Sequence, residues 1–182
     1  MHSSFWLTTG VLMVPGILWA SWIDYKERRV PNWLNAAIAA TGFIAQAHFF
    51  GVSGLWVGFL GMLVGFTTLI IPWLMHGMGA GDVKLMMAIG VWLGPWLTFV
   101  AFCVGAVAGG IIALVMILTS GRLWHANANL ATIAHKVSNR STLFSDFGSA
   151  KSFGSTSQLL PYGVPLTLGT LIVFFGQHWI LG

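Results

Sequence analysis

Long apolar runs separated by short polar or glycine-rich breaks make up most of the chain. Residues 5–23 are interrupted only by Ser, Thr, Gly and Pro15, and about 19 helical residues reach about 28 Å, enough to cross a bilayer. Met1-His2-Ser3-Ser4 lacks the positive charge of a signal peptide, so this run is expected to be a retained span. Residues 24–32 read as a short polar loop holding Asp24, Lys26, Glu27, Arg28 and Arg29. A second span is expected over 33–50, with Gln46 and His48 near its far end, then a tight uncharged turn at 51–54. A third, 55–75, is closed by Pro72, Trp73 and the stretch from His76 through Gly77, Gly79 and Gly81 to Asp82 and Lys84.

Residues 85–118 are too long an apolar run for one helix and contain a Gly94-Pro95 break. Two placements are open. Either Pro95 lies within a helix that turns later, near Gly105 or Gly109, or the segment from Asp82 begins below the membrane surface. Residues 119–158 form the one long polar stretch, where Leu123, Ala126, Leu130, Ile133 and Val137 recur at helical spacing. That pattern predicts a short amphipathic helix on the membrane surface, with 138–157 as loop. The last span is expected over 159–181, beginning Pro161-Tyr162-Gly163-Val164-Pro165. The expected fold is all-α: one membrane-embedded domain, residues 1–182, of about six transmembrane helices.

Composition agrees. Only 7% of the residues are charged and 57% are hydrophobic, against about 25% charged in soluble domains, which excludes a soluble enzyme and, from the other side, a disordered chain. A single cysteine, Cys103, excludes an internal disulfide framework and a cysteine-based zinc cluster. The net charge of +4 forms no dense basic face, which removes nucleic acid as a partner. All eight Lys and Arg fall in the 24–32 loop, at Lys84, or in 119–158. With six spans these lie on one face, expected to be cytoplasmic, with both termini outside. The even count puts Asp24 and Asp82 on the same side.

Four acidic residues remain to be assigned. Glu27 sits among basic neighbours and Asp146 in a polar loop, both as solvated surface groups. Asp24 and Asp82 lie at span ends, where desolvation is possible. As separate groups they would be a headgroup-level charge and a helix cap. As neighbours they would share a proton, one carboxylate activating water while the other, protonated, polarises a carbonyl or protonates a leaving amine. No His-Glu-x-x-His or Gly-x-Ser-x-Gly pattern supplies another hydrolytic set. The alternating glycines permit unusual backbone angles and close approach of another chain, but lack the spacing of a phosphate loop.

The stretch Asp24-Tyr25-Lys26-Glu27-Arg28-Arg29-Val30-Pro31-Asn32 resembles the first active-site motif of type IV prepilin peptidases. Gly79-Ala80-Gly81-Asp82-Val83-Lys84-Leu85 resembles their Gly-x-Gly-Asp-x-Lys-Leu motif, and Pro161-Tyr162-Gly163 recurs in them too. The resemblance implies an aspartic protease of the bacterial inner membrane with Asp24 and Asp82 as catalytic pair at the cytoplasmic boundary. Its partners would be the lipid bilayer and a prepilin or pseudopilin, cut between a short basic leader and a hydrophobic helix. It implies no metal and no cofactor. Gly79, Gly81, Pro31, Asn32 and Lys84 would shape the site or bind substrate. Lys84 could equally be an interfacial lysine extending to the headgroups. The chain lacks the Cys-x-x-Cys insertion that accompanies N-methylation in longer members, so it is closer to the short peptidases of the tight-adherence (Flp) pilus type, and methyltransferase activity is not expected. The rival is a proton-coupled transporter using Asp24 and Asp82 as pathway carboxylates, against which both acids map to one face and none lies mid-span.

Overall fold

Glycine and proline decide where the helices of this chain stop. The computed structural model describes residues 2–27, 29–74, 78–119 and 162–180. They form four helical elements: α1 (His2–Glu27), α2 (Asn32–Leu74), α3 (Ala80–Thr119) and α4 (Gly163–Ile180). Three of them are long and apolar enough to cross a membrane. The amphipathic helix and loop expected over 119–158, and Pro161, fall outside the described residues, apart from the end of α3.

Two elements are broken by a glycine at positive φ, where a side chain would be strained: Gly51 (φ 61°, ψ −142°) in α2 and Gly94 (φ 73°, ψ 176°) in α3. At Gly51 the chain reverses. In a straight helix Gln46 and Gly58 would be about 18 Å apart, yet a Cβ built on Gly58 would lie 3.5 Å from the Gln46 side chain. The turn expected at 51–54 is therefore present. The reversal of α3 comes at Gly94 itself, not near Gly105 or Gly109. Trp92 packs near Phe5 at one end of α1, while Gly105 lies against Pro165 and Leu166, beside the opposite end. Gly94 supplies the turn, and Pro95 starts the returning arm with its fixed φ.

The break has a cost that the sequence repairs. Within a helix Val91 O would accept from the N–H of residue 95, but proline has none. Gln46 Nε2 donates to Val91 O instead, at 3.1 Å, from within the buried interior. This is the role of the lone glutamine in the second apolar run.

The chain separates into two compact units, Met1–Gly109 with Pro161–Gly182, and Gly110–Leu160. In the second, the described residues are helical, with Ile111, Leu114, Val115 and Leu118 exposed. In the first, α1 runs antiparallel to the first arm of α2, with Gly16 against Ile38 and Phe5 against Phe49 and Phe50. Glycines let the second arm of α2 and the first arm of α3 touch backbone to backbone: a Cβ on Gly61 would lie 2.0 Å from Gly90 O, and one on Gly65 2.4 Å from Met86 O. The second arm of α3 meets α4 in the same way, through Gly169 and Gly105. Such glycine-mediated approach is how apolar helices pack where no hydrophobic effect separates side chain from solvent. The outward surface is correspondingly apolar, with Leu7, Ile44, Val52 and Phe175 about 70% exposed, while Thr9, Asn35, Gln46, Thr98, Thr167 and Thr170 are buried.

Candidate active site

Asp24 belongs to α1, not to a loop. The expected 24–32 loop contracts because Tyr25, Lys26 and Glu27 continue the helix, and α1 ends only at Glu27. Pro31 then opens α2, its carbonyl accepting from Asn35 N–H at 3.3 Å. A helical Asp24 is held on a fixed face, buried at 4% exposure, whereas Glu27 on the same turn is exposed.

Asp82 sits in the first turn of α3. Its Oδ2 accepts from Gly79 N–H at 3.2 Å, while its own N–H donates to Gly79 O at 3.2 Å. This is the acid of a capping box, three residues into the helix and reaching back to the residue before it. Asp82 is 6% exposed, and its Oδ1 has no hydrogen-bond partner among the described residues. Capping thus occupies one carboxylate oxygen and leaves the other. Neither Gly79 nor Gly81 has positive φ; the glycines there serve close approach rather than unusual backbone angles. A Cβ on Gly81 would lie 3.2 Å from the backbone N and O of Val30, and one on Gly79 3.3 Å from Asp82 Oδ2.

The two aspartates come from different helices to the same end of the unit, within range of each other's charge. The third sequence block joins them there. Gly163 N–H donates to Asp24 Oδ2 at 2.9 Å, and a Cβ on Gly163 would lie 2.8 Å from that oxygen. Ser21, one turn before Asp24, donates to Gly163 O at 3.0 Å and pairs with Thr167. Lys84 Nζ donates to Asn32 Oδ1 at 2.8 Å on the exposed rim, tying the start of α3 to the start of α2. Pro31 and Asn32 therefore lie beside the Gly79–Asp82 turn.

Three polar side chains of this region follow no motif. Asn35, buried at 4% exposure, donates from Nδ2 to Gly81 O at 3.1 Å; Ser21 and Thr167 link α1 to α4. Their signal in the sequence is only that each is a polar residue inside an apolar run. Among the described residues no three His, Cys, Asp or Glu side chains are grouped to hold a metal ion.

The arrangement can be compared with known proteins. No solved structure matches the chain. A curated prepilin leader peptidase/N-methyltransferase of Neisseria gonorrhoeae is 32% identical over 132 residues, which cover 64% of this chain and 43% of that protein; the match thus takes in less than half the length of this relative. The profile of the type IV leader peptidase family matches residues 11–114, the segment that carries Asp24, Asn35, the glycine turn and Asp82. On that match, over more than half its length, the chain belongs to the type IV leader peptidase family.

Proposed function

We propose that this protein is a membrane aspartic endopeptidase that removes the short basic leader from type IV prepilins or pseudopilins, using Asp24 and Asp82. One observation carries the reading: among the described acids only these two are buried, and two separate helices deliver them to one end of the unit, each with an oxygen held by a backbone N–H. In this chemistry one carboxylate takes a proton from water as the oxygen attacks the scissile carbonyl, and the other, protonated, donates to that carbonyl oxygen. The tetrahedral diol then collapses: the newly protonated carboxyl gives its proton to the leaving amine, the other carboxylate takes a proton from the diol hydroxyl, and the dyad again holds a single proton. No metal or cofactor enters these steps.

Placement in the membrane is part of the proposal. With α2 and α3 each folded back on themselves, the topology we propose has six crossings, and the end that holds the aspartates also holds Lys26, Arg29 and Lys84. The positive-inside tendency makes that end cytoplasmic, at the inner membrane of a bacterium. Trp19, Trp22, Tyr25 and Trp33 are exposed there, with Lys26 over the Trp22 ring, as groups at headgroup level are. The first arm of α3, residues 80–93, is about 21 Å long, shorter than the roughly 30 Å hydrocarbon core. This favours an Asp82 set below the surface, at the depth where a bilayer-embedded substrate helix meets its leader. The single Cys103 provides no Cys-x-x-Cys pair, so the proposed activity is cleavage without N-methylation.

The test is cleavage of a co-expressed prepilin. Asp24→Asn and Asp82→Asn should each lower processing by at least about 100-fold, the contribution of an acid–base group, with membrane insertion and thermal unfolding unchanged. Normal processing by either variant would refute the dyad.

A further inference from the structure

Asn35 does more than its burial requires. Its carboxamide orientation is fixed, because of its two polar atoms only Nδ2 can donate to Gly81 O. That bond leaves Asn35 Oδ1 buried without a hydrogen-bond partner among the described residues, a costly state for a polar atom in an apolar interior. An apolar residue would fill the same site in α2 without that cost. What the side chain gains is a grip on one carbonyl, that of the residue immediately before Asp82. Gly81 is also the point where the turn presses on the backbone of Val30. Asp82 is thus presented by a turn clamped from both sides, by Gly79 N–H on its carboxylate and by Asn35 on the preceding peptide.

We infer that Asn35 is a positioning residue for Asp82: through Nδ2 it holds the Gly81 peptide and so sets the direction in which the Asp82 carboxylate faces Asp24. The inference rests on the peptidase reading and adds a residue that touches neither the cut bond nor the dyad. Loss of the clamp leaves the apolar packing of α2 intact and releases only the turn, so it acts on turnover more than on substrate binding.

The experiment measures kcat and KM of the purified full-length protein on a prepilin in detergent, across pH, for wild type, Asn35→Leu and Asn35→Asp. Asn35→Leu should lower kcat about 10- to 100-fold, the equivalent of one lost buried hydrogen bond, with KM within about twofold and an unchanged unfolding temperature. Asn35→Asp, once its buried carboxyl ionises towards alkaline pH, sets a negative oxygen against Gly81 O and should be as slow there. As pH falls, the introduced carboxyl takes a proton and can donate to Gly81 O, so the ratio of its kcat to wild type should climb towards one. A wild-type kcat in Asn35→Leu, or a variant-to-wild-type ratio for Asn35→Asp that is flat with pH, overturns the positioning role. The Asp variant decides the matter even if the Leu variant fails to fold. Asp24→Asn and Asp82→Asn, run alongside, separate the outcomes: were they active, the peptidase mechanism would be at fault and not the role of Asn35.

Discussion

The seam between α2 and α3 and the cluster around the aspartates are built by opposite means. Along the seam, Gly61, Gly65 and Gly90 remove side chains altogether and carbonyls of one arm touch the backbone of the other. Around Asp24 and Asp82 the contacts are single directional bonds: Gly163 to Asp24, Gly79 to Asp82, Asn35 to Gly81, Ser21 to Thr167. A backbone-to-backbone seam is insensitive to small displacements of side chains but cannot accept an added atom. The polar cluster can lose a bond and keep its fold, because the apolar core and the close glycine contacts also join the helices. The architecture therefore separates stability from chemistry, although both depend on glycine.

Substitutions that break one region and spare the other sharpen this contrast. The largest effect is expected of Gly61→Val, whose Cβ would lie 2.0 Å from Gly90 O. The arms must part, and the loss should reach about 3 kcal/mol or more, seen as protein missing from the membrane fraction or a lowered unfolding temperature in detergent. Gln46→Leu comes next. Val91 O would lose the donor that replaces the absent Pro95 N–H, and an unsatisfied buried carbonyl costs about 1–3 kcal/mol; thermal unfolding should shift while cleavage by the folded fraction stays at wild-type rate. Gly163→Ala should do the reverse. Its methyl group would press on Asp24 Oδ2 and turn the carboxylate, lowering kcat about 10-fold, or 1.4 kcal/mol, with little change in unfolding temperature. If Gly163→Ala instead unfolded the protein at full specific activity, the division between scaffold and site would be wrong.

Much of this was legible in the sequence because it depends on local chemistry. The near absence of charge and the long apolar runs imply membrane helices whatever their packing. The reversal at Gly51 follows from a glycine in a short uncharged interval, and the three motif blocks identify a family. The extent of α1 was not legible. A charged tail such as Lys26-Glu27 reads as loop, yet both are good helix formers, and the helix ends only where Pro31 approaches. Nor was the reversal at Gly94, since the apolar run continues on both sides and a Gly-Pro pair suits a kink as well as a turn. Only the arm that returns past Pro165 distinguishes the two.

What the sequence determined alone is which groups are scarce: four acids, one cysteine, and glycines at intervals. Scarcity is a property of composition and survives any arrangement of the chain. Which acids are buried, which glycine faces a carbonyl and which faces a carboxylate, and that Asn35 reaches Gly81, are relations between residues far apart in the chain, 46 positions for Asn35 and Gly81 and 139 for Asp24 and Gly163. They have no local signal, because the hydrogen bonds and contact distances that define them exist only once separate helices have been brought to one end.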